Sequence, residues 1–197
     1  MPPLAARGLG LSSFFLALLA AAVASLSGRE AVRVARLSAS LGVGMALLSA
    51  CWVAAAIGCT LSAWLGSKIA AQLPPEGKAM LVAMALFLAG LELILLRAGR
   101  APAEPTRSFG AILLVLAAAQ LTSAAGFLVF ALAGATGSPW LAGAGGTVGS
   151  GAVLTAACLA RGDWERRVPL APLRYATAAL LIFAAIVVAL SARGLLG

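Results

Sequence analysis

The sequence predicts an all-α integral membrane protein with six transmembrane helices arranged as two inverted three-helix repeats. Three observations lead there. The 197-residue chain is 62% hydrophobic and 10% charged, whereas soluble domains run at about 45–50% apolar and about 25% charged. Several apolar runs approach the roughly 18 residues at which a membrane span becomes the natural reading. The chain also matches itself at a constant offset of 95 residues.

That offset pairs Ala24-Ser25-Leu26-Ser27-Gly28-Arg29-Glu30 with Ala119-Gln120-Leu121-Thr122-Ser123-Ala124-Ala125. It also pairs Ser13-Phe14 with Ser108-Phe109, Val34 with Val129, Leu37 with Leu132 and Leu86 with Leu181. In so Ala- and Leu-rich a chain some identities arise by composition alone. The unbroken register and the shared loop proline, Pro74 with Pro169, are the stronger signs of a duplicated membrane module.

All nine prolines fall outside the apolar runs and punctuate them. Helices are expected over about 8–27, 41–65, 79–96, 109–133, 141–160 and 175–192. The first half is then 1–97, a cytoplasmic linker 98–107, and the second half 108–197. Arg7 followed by an apolar run and Ala22-Val23-Ala24 looks like a cleavable leader. The repeat argues against cleavage, because the same pattern recurs in mid-chain at 109–119.

Orientation follows from the basic residues. Ten of the 14 fall on one side, in the segments 29–36, 97–107 and 161–174; Arg7, Lys68, Lys78 and Arg193 fall on the other. The richer side is expected in the cytoplasm. The termini then face outward, in a multi-pass protein of the cell (inner) membrane. Three spans per half is an odd number, so the halves must be inverted, and such symmetry places a transporter's site at the repeat interface near mid-membrane. The net charge of +8 therefore belongs to loop orientation and not to nucleic acid.

The layout resembles the Gdt family of small membrane proteins, Golgi and bacterial calcium/manganese transporters proposed to exchange the cation for protons. The resemblance rests on the runs 62–96 (SAWLGSKIAAQLPPEGKAMLVAMALFLAGLELILL) and 167–190 (RVPLAPLRYATAALLIFAAIVVAL), which look like the family's recurring end of each half. It implies two inverted three-helix halves, each with E-x-G-D-[KR]-[ST] on its first helix. In the first half those positions hold Ser25, Ser27, Gly28, Arg29 and Glu30; in the second, Gln120, Thr122, Ser123, Ala124 and Ala125. Only Arg29 keeps its type, so all four acidic positions are empty and the motif is degenerate in both halves.

A dehydrated divalent cation needs about six or more hard oxygens, with carboxylates to cancel its charge. Here Ser25, Ser27, Gln120, Thr122 and Ser123 offer hydroxyls and one amide. Such groups suit a path for a neutral solute or a weakly held ion, or hydrogen bonds that tie helices together. Glu92 is the single carboxylate within an apolar span and a candidate ion or proton site; it also lies one turn from Arg97, with which it could pair at the interface. Its repeat counterpart is Val187. Arg29, Arg33 and Arg36 share one helical face, with Glu30 spaced to pair with Arg33. That face suits either an anion-attracting mouth or a headgroup anchor.

Gly145 and Gly149 form a G-x-x-x-G pair suited to close helix packing. Trp52, Trp64, Trp140 and Trp164 fall mostly near helix ends, as interfacial anchors do. The three cysteines are expected as free thiols in apolar spans, and histidine is absent. Neither a catalytic set, a cofactor nor a metal-ligand cluster is predicted. Three functions are carried forward. One is a cation-exchanger-like transporter with an altered or lost cation site, whose partners are the bilayer and a divalent cation or small solute. The others are a non-transporting assembly subunit, in a homo- or hetero-oligomer, and a small exporter of a non-cationic solute.

Overall fold

The computed structural model describes residues 4–99 and 108–195, with side chains from residue 11. The expected linker, from residue 100 on, lies outside them. The described residues are helical, without strands: α1 (Leu4–Ser27), α2 (Arg29–Leu41), α3 (Met45–Ala70), α4 (Pro75–Leu95), α5 (Phe109–Leu121), α6 (Ala124–Thr136), α7 (Pro139–Ala160), a 3-10 turn (Arg161–Asp163), α8 (Trp164–Arg167) and α9 (Leu170–Ala192).

Local chemistry sets several of these limits. Pro75 and Pro139 open α4 and α7 in the first turn, where a missing N–H costs nothing and the fixed φ suits a helix. Gly137, at φ 66°, closes α6 in the left-handed conformation that side chains resist.

Helices α3, α4 and α9, and α7 with the turn and α8 that continue it, are long and apolar enough to cross a membrane. The chain is thus a helical multi-pass membrane protein with four such helices, or up to six if each of two bent pairs is one span. The bends are the main departure from expectation. Helix α1 turns by 59° into α2, and α5 turns by 55° into α6. The single helix expected over 109–133 is therefore broken at Thr122-Ser123, and 29–41, expected as a loop, is a helix.

Packing pairs equivalent elements crosswise. Helix α1 lies along α7 as α5 lies along α3, and α3 packs on α6 as α7 packs on α2. Helices α3 and α7 meet each other, and so do α4 and α9. Equivalent residues share their burial: Val34 and Val129 are fully enclosed, and Ala24 and Ala119 are buried. The correspondence stops at α6, which packs on α4 while α2 has no similar contact with α9.

Small side chains make the close approaches. A Cβ at Gly145 or Gly149 would run into the carbonyl oxygens of Phe14 and Leu18 on α1, and one at Gly66 into that of Phe130 on α6. The G-x-x-x-G pair thus fits α7 against α1 within the same chain. At one end of the bundle Arg36 of α2 bonds Glu165 and the Gly99 carbonyl. At the other, the ends of α3 and α6 and the starts of α4 and α7 surround a cleft.

Candidate site at the two helix breaks

The residues that begin the second helix of each bent pair, Gly28 and Ser123, are repeat counterparts. The two stretches aligned by the 95-residue offset, 24–30 and 119–125, are therefore the two places where an apolar helix pair is bent. An interruption leaves backbone N–H and C=O groups without helical partners, and lipid offers none. The side chains around these breaks supply them.

At the second break Ser123 does so locally. Its Oγ accepts from Gly126 N at 3.1 Å and donates to the Gln120 carbonyl at 2.8 Å. The first half of the chain supplies the rest. Arg29 Nη2 donates to Thr122 O at 3.0 Å and to Thr122 Oγ1 at 2.6 Å. Glu92 Oε2 accepts from Ala124 N, the first N–H of α6, at 3.3 Å. The cation thus meets the carbonyl end of α5 and the anion the amide end of α6, as the helix dipoles favour. Arg29 Nε and Glu92 Oε1 lie 3.0 Å apart as an ion pair. Their mutual orientation is not that of a hydrogen bond, so Glu92 Oε1 has no hydrogen-bond partner.

Glu92 is accordingly buried against Arg29, and the expected pairing at the Arg97 end does not form; Arg97 donates to Tyr175 Oη at 3.0 Å. No ion pair joins Glu30 to Arg33 either. Glu30, 2% exposed, folds back into the bundle, where a Cβ at Gly28 would approach its Oε2 to 2.5 Å. It lies beside Ser123 and within electrostatic reach of Glu92, Arg29 and Arg33. Glu30 Oε2 and the buried Ser27 Oγ have no hydrogen-bond partner.

A neutral cluster adjoins these charges. Ser25 of α1 donates to Ser150 Oγ at 3.2 Å, and Gln120 Nε2 of α5 donates to the same oxygen at 3.1 Å. The amide also faces Cys59 Sγ of α3 at 3.9 Å, and its stem packs over Gly58. Ser25 and Gln120 are counterparts at the 95-residue offset, and Ser150 bridges them. All five polar candidates therefore gather at the breaks: Ser25 and Gln120 in the neutral cluster, Thr122 and Ser123 at the second break, and Ser27 unpartnered at the end of α1. Glu92 joins them. Arg33 faces Glu30 electrostatically, while Arg36 is engaged elsewhere, with Glu165.

The sequence did not single out Ser150 or Cys59, and it placed Glu30 on the wrong partner. The lone hydroxyl in the buried, glycine-rich face of α7 was the available signal for Ser150. Trp164, expected as an interfacial anchor, is buried.

Chemically the breaks hold two buried carboxylates, one guanidinium and several neutral oxygens. The pair Glu30 and Glu92 carries one negative charge more than Arg29 cancels when both are ionised. Among the described residues no group of three or more Cys, Asp or Glu side chains is placed to hold a metal ion. Searches against protein-family models, curated proteins and solved structures found no match to this chain.

Proposed function

We propose that the protein is a membrane transporter of an ion or small solute, built as two inverted three-helix repeats, with its site at the paired helix breaks. One observation carries this reading: both breaks fall at the same repeat position and are brought against each other by Arg29 and Thr122. Paired interruptions in the two halves are the best sequence-readable pointer to a transporter's midplane site, since unwound backbone is tolerated only where it is enclosed or lines a path.

Six spans follow if each bent pair crosses the membrane once. Ile112 and Leu113 near the start of α5 pack in the cluster that holds Trp164, whereas Gly134 near the end of α6 lines the cleft at the opposite end. The Lys/Arg bias then sets the Glu165 end in the cytoplasm and the termini outward, in the inner membrane. The resemblance to cation:proton exchangers suggests the transported species. The acids missing from its motif are matched in number, in part, by Glu30 and Glu92, which reach the breaks from other positions.

A second reading is supported by the same geometry. Arg29 occupies the centre of the charged group and no three-acid group exists among the described residues, which suits a divalent cation poorly. A non-transporting assembly subunit, or a carrier of a non-cationic solute, fits that arrangement.

The test is flux of manganese and calcium into proteoliposomes, with and without a pH gradient. Transport predicts flux above empty vesicles that depends on the gradient and falls at least tenfold in Glu30→Gln with folded protein unchanged. No cation flux from inserted wild-type protein would sink the exchanger reading and leave the other two.

A further inference from the structure

We propose that the cleft at the end of the bundle opposite Glu165 is a binding site for an anionic phospholipid. The phosphate lies at Lys68 and Lys78 and one acyl chain runs inward along α3. The cleft encloses about 800 Å³. Its wall along α3 is Ile57, Leu61 and Trp64, all exposed on the outer surface of a membrane-spanning helix, and Trp140 closes it from α7.

Length identifies the occupant. From Ile57 to Lys68 is eleven residues of continuous helix, or about 16 Å at 1.5 Å per residue. The hydrocarbon of one leaflet is half of about 30 Å. A chain anchored at Lys68 therefore reaches Ile57 at the midplane.

Charge identifies the headgroup. Both lysines line the mouth, no carboxylate lines the cleft, and neither lysine forms an ion pair among the described residues. Trp64 and Trp140 stand where ring systems favour the polar boundary of a bilayer. The lining between is mostly carbon and does not suit a free soluble anion. Nothing in this site depends on transport at the helix breaks.

Tryptophan quenching by chain-brominated lipids tests the assignment on the full-length protein in vesicles. Brominated phosphatidylglycerol in a phosphatidylcholine bilayer should quench with an association constant at least threefold that of brominated phosphatidylcholine. That preference should vanish in Lys68→Gln/Lys78→Gln, whose substitutions are on the surface, and the selective quenching should vanish in Trp64→Phe/Trp140→Phe. Equal quenching by the two lipids would overturn the proposal, as would a preference that survives the lysine double variant. Loss of the preference on adding inorganic phosphate at constant ionic strength would assign the lysines to a free anion and also overturn it.

Discussion

Arg29 and Glu92, both from the first half of the chain, meet at 3.0 Å over the helix break of the second half. One holds the carbonyl of Thr122 at the end of α5 and the other the first amide of α6. The second half returns no such grip, because the repeat counterparts of these residues are Ala124 and Val187. The first half of the chain thus closes the break in the second, and at the 95-residue offset the second half carries no residues that could return the contact.

That dependence predicts a strong effect from either charge alone. Glu92→Gln removes the carboxylate 3.0 Å from Arg29 Nε, where the Glu92 and Arg29 side chains are 4% and 12% exposed, and leaves Arg29 only the unpaired Glu30 as an anion within reach. Breaking a buried pair from one side costs about 3–5 kcal/mol. The thermal midpoint of purified protein in detergent should fall accordingly. Arg29→Met with Glu92→Leu should recover part of the loss, since it removes the uncompensated charge while still leaving Thr122 O and Ala124 N without these partners. Additive losses in the double variant would show that the two residues act independently.

Ser150 is predicted to be the hub of the neutral cluster, as it accepts from both Ser25 and Gln120. Ser150→Ala removes the acceptor of two buried donors at once, leaving Gln120 Nε2 only Cys59 Sγ at 3.9 Å. Hydrogen bonds between membrane helices are worth about 0.6–2 kcal/mol each, so Ser150→Ala should destabilise more than Ser25→Ala. After Ser150→Ala, the further change Ser25→Ala should cost little. A double-mutant cycle with no coupling would remove Ser150 from this role.

Much of this was legible in the sequence, and the limits have physical causes. The 95-residue register located both breaks, because Gly28 and Ser123 stand in the stretches that the repeat aligns. It did not show them as breaks. Thr122-Ser123 contains neither proline nor glycine and lies within a long stretch free of charge, so its interruption depends on partners remote in sequence. Glu92 was visible as the lone acid of its span, but its partner is 63 positions away and the nearer Arg97 was the local choice. Glu30 misled for the same reason: helical spacing offered Arg33, while burial drew the carboxylate toward the breaks.

Glycine substitutions should separate packing from composition. Gly149→Ala places a methyl against the Leu18 carbonyl on α1, a backbone group that cannot rotate away. Overpacking of this kind costs about 1–3 kcal/mol, and Gly149→Leu should abolish the folded yield. Gly110, on α5, has open space within 4 Å of the point where a Cβ would stand. Gly110→Ala should therefore be neutral or slightly stabilising, as helix propensity favours Ala. Equal losses at the two positions in a melting assay would contradict the α1–α7 contact.

The bilayer crossing of a bent pair is predicted to be readable with two cysteines. Cys51, Cys59 and Cys158 are buried, so the folded protein should be nearly silent to a membrane-impermeant maleimide. Ser108 and Ala135, near the two ends of the α5–α6 pair, are both exposed. If the pair is one span, Ser108→Cys and Ala135→Cys label from opposite sides of the membrane. With the basic segments in the cytoplasm, only Ala135→Cys reacts in intact cells, and Ser108→Cys reacts after permeabilisation. Labelling of both from one side would make α5–α6 a re-entrant loop. The second half would then cross with two helices, α7 and α9, and would not match a three-helix first half as an inverted repeat. The site at the breaks would open toward a single compartment, which alternating access through the repeat interface does not allow.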